Sequence, residues 1–337
     1  MNAKQIAAIC ANLNNLPMKS SKETYRRLCL EESSIPIFSR DWWLDATAGN
    51  DNWDVAVVEK GGGVVATLPF VLRRNYGFLS VTQPPLTQTL GPWIRPSCAK
   101  YAKRLAQEKD LMQALIEQLP PFRRYAQNWH RDQTNWLPFY WQGFRQTTRY
   151  SYVITELGDR DVLWQNLQPG IRTDIKKATA RFGLRVREAK SIEEFYKINK
   201  MTFLRQGQVI PYSLDFVKRI DQACNLRNAR RTFLAEDGEG RVHAAVYLIW
   251  DENSAYYLMG GGDPKLRNSG ATSLCMWEAI RFAGTVTKSF DFEGSMLEPV
   301  ERFFRSFGAK QIPYFSVTKN NSKLIELRDC VATLWRR

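Results

Sequence analysis

The hydrophobic pattern changes period repeatedly along the chain, and those changes predict its elements. "KETYRRLCLEES" and "SRDWWLDATAG" carry apolar residues at helical spacing and predict two short helices, with Ser39 as the N-cap of the second. "WDVAVVEKGGGVVATLPFVLRR" reads as two β-rich runs joined at Lys60–Gly63, which predicts a hairpin. "LSVTQPPLTQTLGPWIRP" predicts a long loop with strand-like parts, punctuated by Pro84-Pro85 and Gly91-Pro92. "CAKYAKRLAQEKDLMQALIEQL" is helical by periodicity and ends at Pro120-Pro121. "YAQNWH" and "RYSYVITEL" read as strands around the aromatic segment "NWLPFYWQGF".

After Gly158 the pattern restarts. "PGIRTDIKKATARFG" predicts a basic helix opened by Pro169 and stopped by Gly183, and "LRVREA" a strand. "SIEEFYKINKMTFLRQ" has capping-box spacing from Ser191 to Glu194, and "SLDFVKRIDQACNL" is a further helix. Three strands follow as a meander, in "RRTFLAEDGEGRVHAAVYLIW" and "SAYYLMGG". A helix from about Gly270 to Ala283, strand "SFDFEG", helix "EPVERFFRSFG", strand "QIPYFSVTK" and a last helix "SKLIELRDCVATLW" complete the chain. This order divides it into residues 1–38 (an N-terminal extension and first helix), 39–157 and 158–337.

The two larger parts share a pattern. "VAVVEKGGGVVATLPFVL" and "TFLAEDGEGRVHAAVYLI" align Glu59 with Glu236, Gly61 with Gly238, Gly63 with Gly240 and Val65 with Val242. Each is an acid, a Gly-x-Gly turn and an apolar second strand, preceded by helices. A repeat of this length means two copies of a domain rather than a solenoid.

Composition narrows the function classes. A chain of 337 residues with 44% hydrophobic residues suits two globular domains rather than a disordered chain. The formal charge of +14 favours anionic partners: nucleic acid, phosphorylated cofactors or an acidic membrane surface. Six scattered cysteines without C-x-x-C spacing, and only two histidines, argue against a zinc site or a disulfide framework. They read as free thiols in a reducing compartment, with the cytoplasm as default location. His130 and His243 read as structural, because neither has a Ser or Cys and an acid nearby in sequence. "MNAKQIAAICANLNNL" is too short in its apolar stretch for a signal peptide or a span, and residues 1–17 read as a loose extension or an upstream start.

The stretch "GGGDPKLRNSGATSLCMWEAIRFA" carries the most chemistry. A helix starting just beyond a strand end offers unpaired N–H groups and a positive dipole end to phosphate. Glycines let a backbone close on a ligand, and Arg267 adds charge. The intervening helix also lets "YYLMGG" and "FDFEG" run parallel. In "SFDFEGS", strand alternation puts Asp291 and Glu293 on one face, where a carboxylate can take an amine proton. Tyr256 and Tyr257 point to opposite faces, one toward a ligand and the other into the core. Tyr314 is a third candidate proton donor. Arg172, Lys176 and Lys177 form a positive face that either contacts a phosphate-bearing acceptor or tRNA or is simply solvated. The loop "TQPPLTQTLGPW" is a candidate lining of an acceptor cleft.

This arrangement resembles the GNAT acyltransferase fold, whose coenzyme A loop reads Arg/Gln-x-x-Gly-x-Gly/Ala. "RNSGAT" supplies Arg267 and Gly270, with Thr272 where the family prefers Gly or Ala. With "GIRTDIKKA" and "FDFEGS…ERFFRSFG", the duplicated layout is similar to the FemABX-like proteins over roughly residues 39–325. The resemblance implies an α/β fold with a mixed sheet, built as two tandem GNAT-like domains. It implies an acyl-CoA donor bound at Gly261, Gly262, Arg267, Gly270 and Thr272, an amine acceptor (a small molecule or a peptide) between the domains, and no metal. The second reading is a Fem-type transferase moving an aminoacyl group from tRNA to a peptidoglycan precursor peptide; the third is an inactive binding module of the same fold. Many Fem-type chains have Phe-Lys-x-x-Phe-Gly, the lysine lying by the acceptor. Here Phe304 holds the lysine position, with Arg305 one step on as a candidate substitute.

Overall fold

The computed structural model describes residues 20–75, 78–205, 207–294 and 296–321. The proposed C-terminal helix and residues 1–17 lie outside them. In chain order the elements begin with α1 (Ser21–Glu31), α2 (Asp41–Ala48), β1 (Trp53–Lys60), β2 (Gly63–Asn75), β3 (Phe78–Thr82) and β4 (Trp93–Ile94). There follow α3 (Tyr101–Glu117), β5 (Arg124–Asn128), α4 (Leu137–Trp141), β6 (Arg145–Ile154), α5 (Arg160–Asn166) and α6 (Pro169–Ala180). Then come β7 (Arg185–Glu188), α7 (Ile192–Arg205), α8 (Leu214–Asn225), β8 (Arg230–Glu236), β9 (Val242–Trp250) and β10 (Ser254–Gly262). The last are α9 (Ala271–Ala283), β11 (Ser289–Asp291), α10 (Glu298–Arg305) and β12 (Lys310–Asn320).

All the strands join one mixed sheet in the order β1-β2-β3-β5-β12-β6-β11-β10-β9-β8-β7, with β4 paired to β2. The last strand, β12, leaves the second half to lie between β5 and β6, and β6 pairs on its other edge with β11. Helices cover both faces of the second half. Ile171 and Ile175 of α6 and Leu274 and Ile280 of α9 pack with Phe290 on one face. Phe195 and Ile198 of α7 and Val217, Ile220 and Cys224 of α8 cover the other, each set spaced along one helical side. Phe38 and Trp43 of the first half join that second core. The Ile37 amide also donates to Asp251 at 2.9 Å, fastening the segment across the halves.

The two hairpins share one irregularity. β1–β2 and β8–β9 are antiparallel, and each has a register shift just before its acid, between Val58 and Glu59 and between Ala235 and Glu236. On the second strand the skipped residues are Val65 and His243, one position apart in the alignment that pairs Val65 with Val242.

Three local expectations change. Ser39 closes a 3-10 turn, and Arg40 stands at the N-cap of α2 without a side-chain cap; the Ser39 carbonyl instead accepts the buried Tyr25 hydroxyl at 2.5 Å. Glu194 turns to Arg187 and to the Lys190 amide, so the Ser191 capping box gives way to an ion pair that ties α7 to β7. Strand β11 stops at Asp291. Glu293 has φ +60° and Gly294 φ +68°, which turn the chain out of the sheet.

Candidate functional site: a glycine cleft beside a buried carboxyl

Strands β10 and β11 pair in parallel only from Ser254–Ser289 to Tyr256–Asp291. Beyond that point β10 continues to Gly262, while β11 has already ended. The separation opens a gap in the sheet edge, and β10 carries a register irregularity between Tyr257 and Met259. On this stretch a cleft of about 190 Å³ is lined by Thr202, Arg205, His243, Tyr257, Gly260 to Asp263, Arg267, Ala271 and Thr272.

Two glycines are required there sterically. A Cβ on Gly261 would lie 2.6 Å from the Asn199 Cα, so α7 packs directly on the β10 backbone. Gly270 has φ +81° and abuts the Asp174 carbonyl of α6, which sets the start of α9. Asn199 donates its side-chain amide to the Gly260 carbonyl at 2.7 Å, and the Gly262 amide donates to Thr202 Oγ1 at 3.2 Å. The cleft floor is therefore rigid backbone, and the arginines at its rim come from different elements. Arg267 is exposed, and no partner engages it among the described residues. Thr272 lines the cleft; the helix cap belongs to Gly270, which provides no side-chain cap. Glycine backbone lines the cleft and the two arginines at its rim can meet negative charge, so these residues fit the phosphate end of a coenzyme.

The carboxylates lie where β11 ends. Asp291 is buried and fully engaged: Arg131 donates to its Oδ2 at 2.5 Å, and the Ser151 hydroxyl and the Glu293 amide (2.8 Å) donate to its Oδ1. Burial is the largest single influence on the Arg131 guanidinium and lowers its pKa, but Asp291, with Tyr256, Asp132 and Asp251, together hold it above its ordinary value. Glu293 is different. Its Oε1 is buried without a hydrogen-bond partner among the described residues. Burial, with the Asp291 charge adding to it, pushes its pKa well above the ordinary carboxyl value. Its backbone carbonyl accepts from Gln88, a residue of the long loop between β3 and β4. Gln88 also donates to Tyr314 Oη at 3.3 Å, and Arg149 Nε donates to that oxygen at 3.2 Å. The long loop thus reaches the carboxylates. With its lone pairs engaged by two donors, the Tyr314 hydroxyl has its own proton left to give.

The two tyrosines of β10 separate as alternation requires. Tyr257 is the one on the cleft wall, its ring 5.9 Å from Phe304, and burial raises its pKa. Glu293's charge also acts on Tyr257, which links the cleft to the carboxylate cluster. Tyr256 faces the other way, edge-on to Phe38 at 4.9 Å, and burial raises its pKa well above the ordinary value.

The remaining candidate residues are not brought to the cleft lining. Arg172 folds back on the end of α5, donating to the Gln165 carbonyl at 3.0 Å. Lys176 is exposed on the outside of α6, and Lys177 pairs with Asp174 at 2.8 Å. Arg305 is exposed and pairs with Glu301 at 2.9 Å, while Phe304 is buried in the aromatic core with Phe292 and Tyr257. Sequence reading missed Arg131, Ser151, Arg149 and Arg205, each distant in sequence from the glycines, while Gln88 lies in the loop it offered as a cleft lining. It also read His243 as having no Ser and acid near it; the fold brings Ser269 and Asp237 to its two ring nitrogens. A larger hollow of about 400 Å³ lies between residues 29–42 and 227–252. Its buried Asp251 accepts three backbone amides and its Arg40 donates to the Ile35 and Cys29 carbonyls, so its polar groups are engaged. Among the described residues, no group of three or more His, Cys, Asp or Glu is placed to hold a metal ion.

Comparison with known proteins agrees with this architecture. Residues 167–295, which carry both the glycine cleft and the carboxylates, match the model of the acetyltransferase (GNAT) domain. Among solved structures the chain is similar to FemX, at 11% identity and TM-score 0.65, covering 88% of this chain and 96% of that one. It is similar to the C-terminal DUF2156 domain of an Agrobacterium fabrum protein assigned as a lysylphosphatidylglycerol synthetase (12% identity, TM-score 0.55, covering 94% and 97%). L-PGS from Bacillus licheniformis matches at 12% identity and TM-score 0.53, covering 94% and 98%. No curated protein sequence matches. Residues 167–295 thus carry the acetyltransferase (GNAT) domain match, and the chain as a whole has a FemX-like fold whose strands join in one sheet.

Proposed function

We propose that this protein is an N-acyltransferase that moves an acyl group from an acyl-CoA-type donor to an amine acceptor held between its halves. The observation that carries this reading is a glycine-floored cleft rimmed by two arginines, with the buried Glu293 Oε1, unpartnered among the described residues, where β11 ends. The donor's phosphates meet Arg205, Arg267 and the start of α9, and its thioester lies toward the gap between β10 and β11. Glu293 takes the proton from the acceptor amine. It does so as the neutral amine nitrogen bonds to the acyl carbon and becomes acidic; the carbon–sulfur bond breaks, and the departing thiolate takes a proton from the Tyr257 hydroxyl, leaving the amide, the thiol, a protonated Glu293 and a Tyr257 phenolate that then exchange the proton back. Tyr314, beside Gln88 and Arg149, lies on the acceptor side. Asp291 positions Glu293 through its amide and does not itself carry protons in the reaction.

A second reading has a specific observation in its favour. FemX and the lysylphosphatidylglycerol synthetase domain are among the similar structures, and the chain carries a formal charge of +14. On that reading the donor is an aminoacyl-tRNA and the acceptor a peptidoglycan precursor peptide or an anionic lipid headgroup. The aromatic burial of Phe304 counts against a Fem-type lysine function.

The test is thiol release from acetyl-CoA with a panel of small amines and amino-terminal peptides. Amine-dependent release that Glu293→Gln lowers by on the order of 10²-fold or more supports the proposal. Absence of release, together with salt-sensitive binding of charged tRNA, transfers the assignment to the second reading.

A further inference from the structure

A buried polar relay lies beside the glycine cleft. Ser269, just ahead of Gly270, is 2% exposed and His243, near the start of β9, 3%. His243 Nδ1 lies 3.0 Å from Ser269 Oγ, and its Nε2 lies 3.0 Å from Asp237 Oδ2. An ionised Asp237 can only accept, so Nε2 donates to it, and in the neutral ring Nδ1 is then the acceptor for the Ser269 hydroxyl. Asp237 stays ionised because His243 hydrogen-bonds it and the Arg241 guanidinium and the Arg241 and Glu239 amides add to the effect; together they hold its pKa well below the ordinary carboxylate range.

His243 also acts through its backbone. Its carbonyl accepts the Asp263 amide at 3.0 Å. One residue therefore fastens both ends of the segment from Asp263 to Ser269, and the exposed Arg267 lies within that segment. A Ser–His–Asp set otherwise points to a nucleophilic serine. Here the burial of Ser269 leaves its Oγ no access for an acyl carbonyl, so the set cannot work as one.

We propose that Asp237, His243 and Ser269 are positioning residues that hold the Asp263–Gly270 loop in the shape that receives the donor's phosphates. This rests on the reading of the glycine cleft as a donor site. The relay predicts an uneven response to substitution at one position. In His243→Asn the amide oxygen stands in for Nδ1 and keeps the Ser269 bond. Asp237 loses one donor but retains Arg241 and two backbone amides. In His243→Gln the amide nitrogen stands in for Nε2, keeping Asp237 and releasing Ser269.

Calorimetric titration with CoA is the test, with thermal melts run in parallel. Ser269→Ala and His243→Gln should each weaken CoA binding roughly tenfold, while His243→Asn stays within about threefold of wild type. In steady state the first two should raise KM for the donor and leave kcat and the acceptor KM nearly unchanged. Wild-type binding with unaltered affinity in Ser269→Ala and His243→Gln overturns the relay and leaves the donor site standing. Equal weakening by His243→Asn and His243→Gln, in step with lost melting temperature, also overturns it, since that is a general structural role. No CoA binding to the wild type removes the donor reading and the relay with it.

Discussion

Asp291 and Glu293 are close neighbours in sequence with opposite surroundings. Asp291 is met by a guanidinium, a hydroxyl and an amide. Glu293 keeps a buried oxygen without a donor. The consequence for stability has a definite sign. The Glu293 pKa is raised in the folded state above its ordinary 4.5, so the stability this group contributes is fully present below about that pH. It is lost as pH rises toward the folded value, because the unfolded chain ionises freely and the buried site does not. Glu293→Gln should therefore melt like wild type near pH 4 and above it at pH 8, by on the order of 2–4 °C for each kcal/mol gained. A higher melting temperature for wild type at pH 8 would contradict the burial of that carboxyl. In turnover, kcat/KM should rise with pH through an apparent pKa above 4.5, and Glu293→Gln should remove that limb. The sequence showed both acids but not their difference. Strand alternation paired them on one face; the left-handed backbone at Glu293 and the distant Arg131, Ser151 and Gln88 separate their roles. The choice between Tyr256 and Tyr257 was open for the same reason, because alternation says that they diverge and not which one meets the cleft.

Helices and strands were more legible than their ends. Period 3.6 and period 2 patterns located the hairpins, the meander and the crossover helix, because those patterns record which side is buried. Ser39 and the Ser191–Glu194 pair misled because capping depends on which competing partner is nearer: Tyr25 reaches the Ser39 carbonyl and Arg187 reaches Glu194. The Phe304 position was legible as a departure, and packing gives its reason. Phe304 lies between Tyr257 and Phe292, holding the Tyr257 ring against the cleft. The contact of α7 with β10 is equally tight. Gly261→Val would force side-chain carbons against the Asn199 backbone and should cost about 1–3 kcal/mol in a denaturant titration. Unchanged stability would mean that the two elements are farther apart than the cleft requires. Phe304→Leu should keep the fold and lower turnover more than it lowers CoA affinity, by loosening Tyr257.

At the scale of the molecule, the linear division at Gly158 and the sheet follow different logics. β12 comes from the end of the described chain and β6 from the first half, yet they are neighbours, and β6 also borders β11. Pattern along a sequence cannot reveal such an exchange, since a strand's periodicity records burial and not its neighbour. A fragment of residues 20–157 should therefore lack a cooperative melt by circular dichroism and regain one when mixed with residues 158–337. An independently cooperative fragment would show that β12 and β11 are dispensable to the first half. Both hairpins carry a register shift just before their acid, Glu59 and Glu236. The Arg-x-x-Gly loop at the cleft, Arg267 to Gly270, lies in the second half.

The account depends most on the glycine cleft receiving a coenzyme phosphate. Its most direct test is the thermal melt of the whole protein with and without CoA, beside the Arg267→Ala variant. At about 100 times its dissociation constant the ligand should stabilise the wild type by roughly 2.7 kcal/mol, and at the same CoA concentration Arg267→Ala should lose most of that shift. A wild type that melts cooperatively at the same temperature with and without millimolar CoA would contradict it.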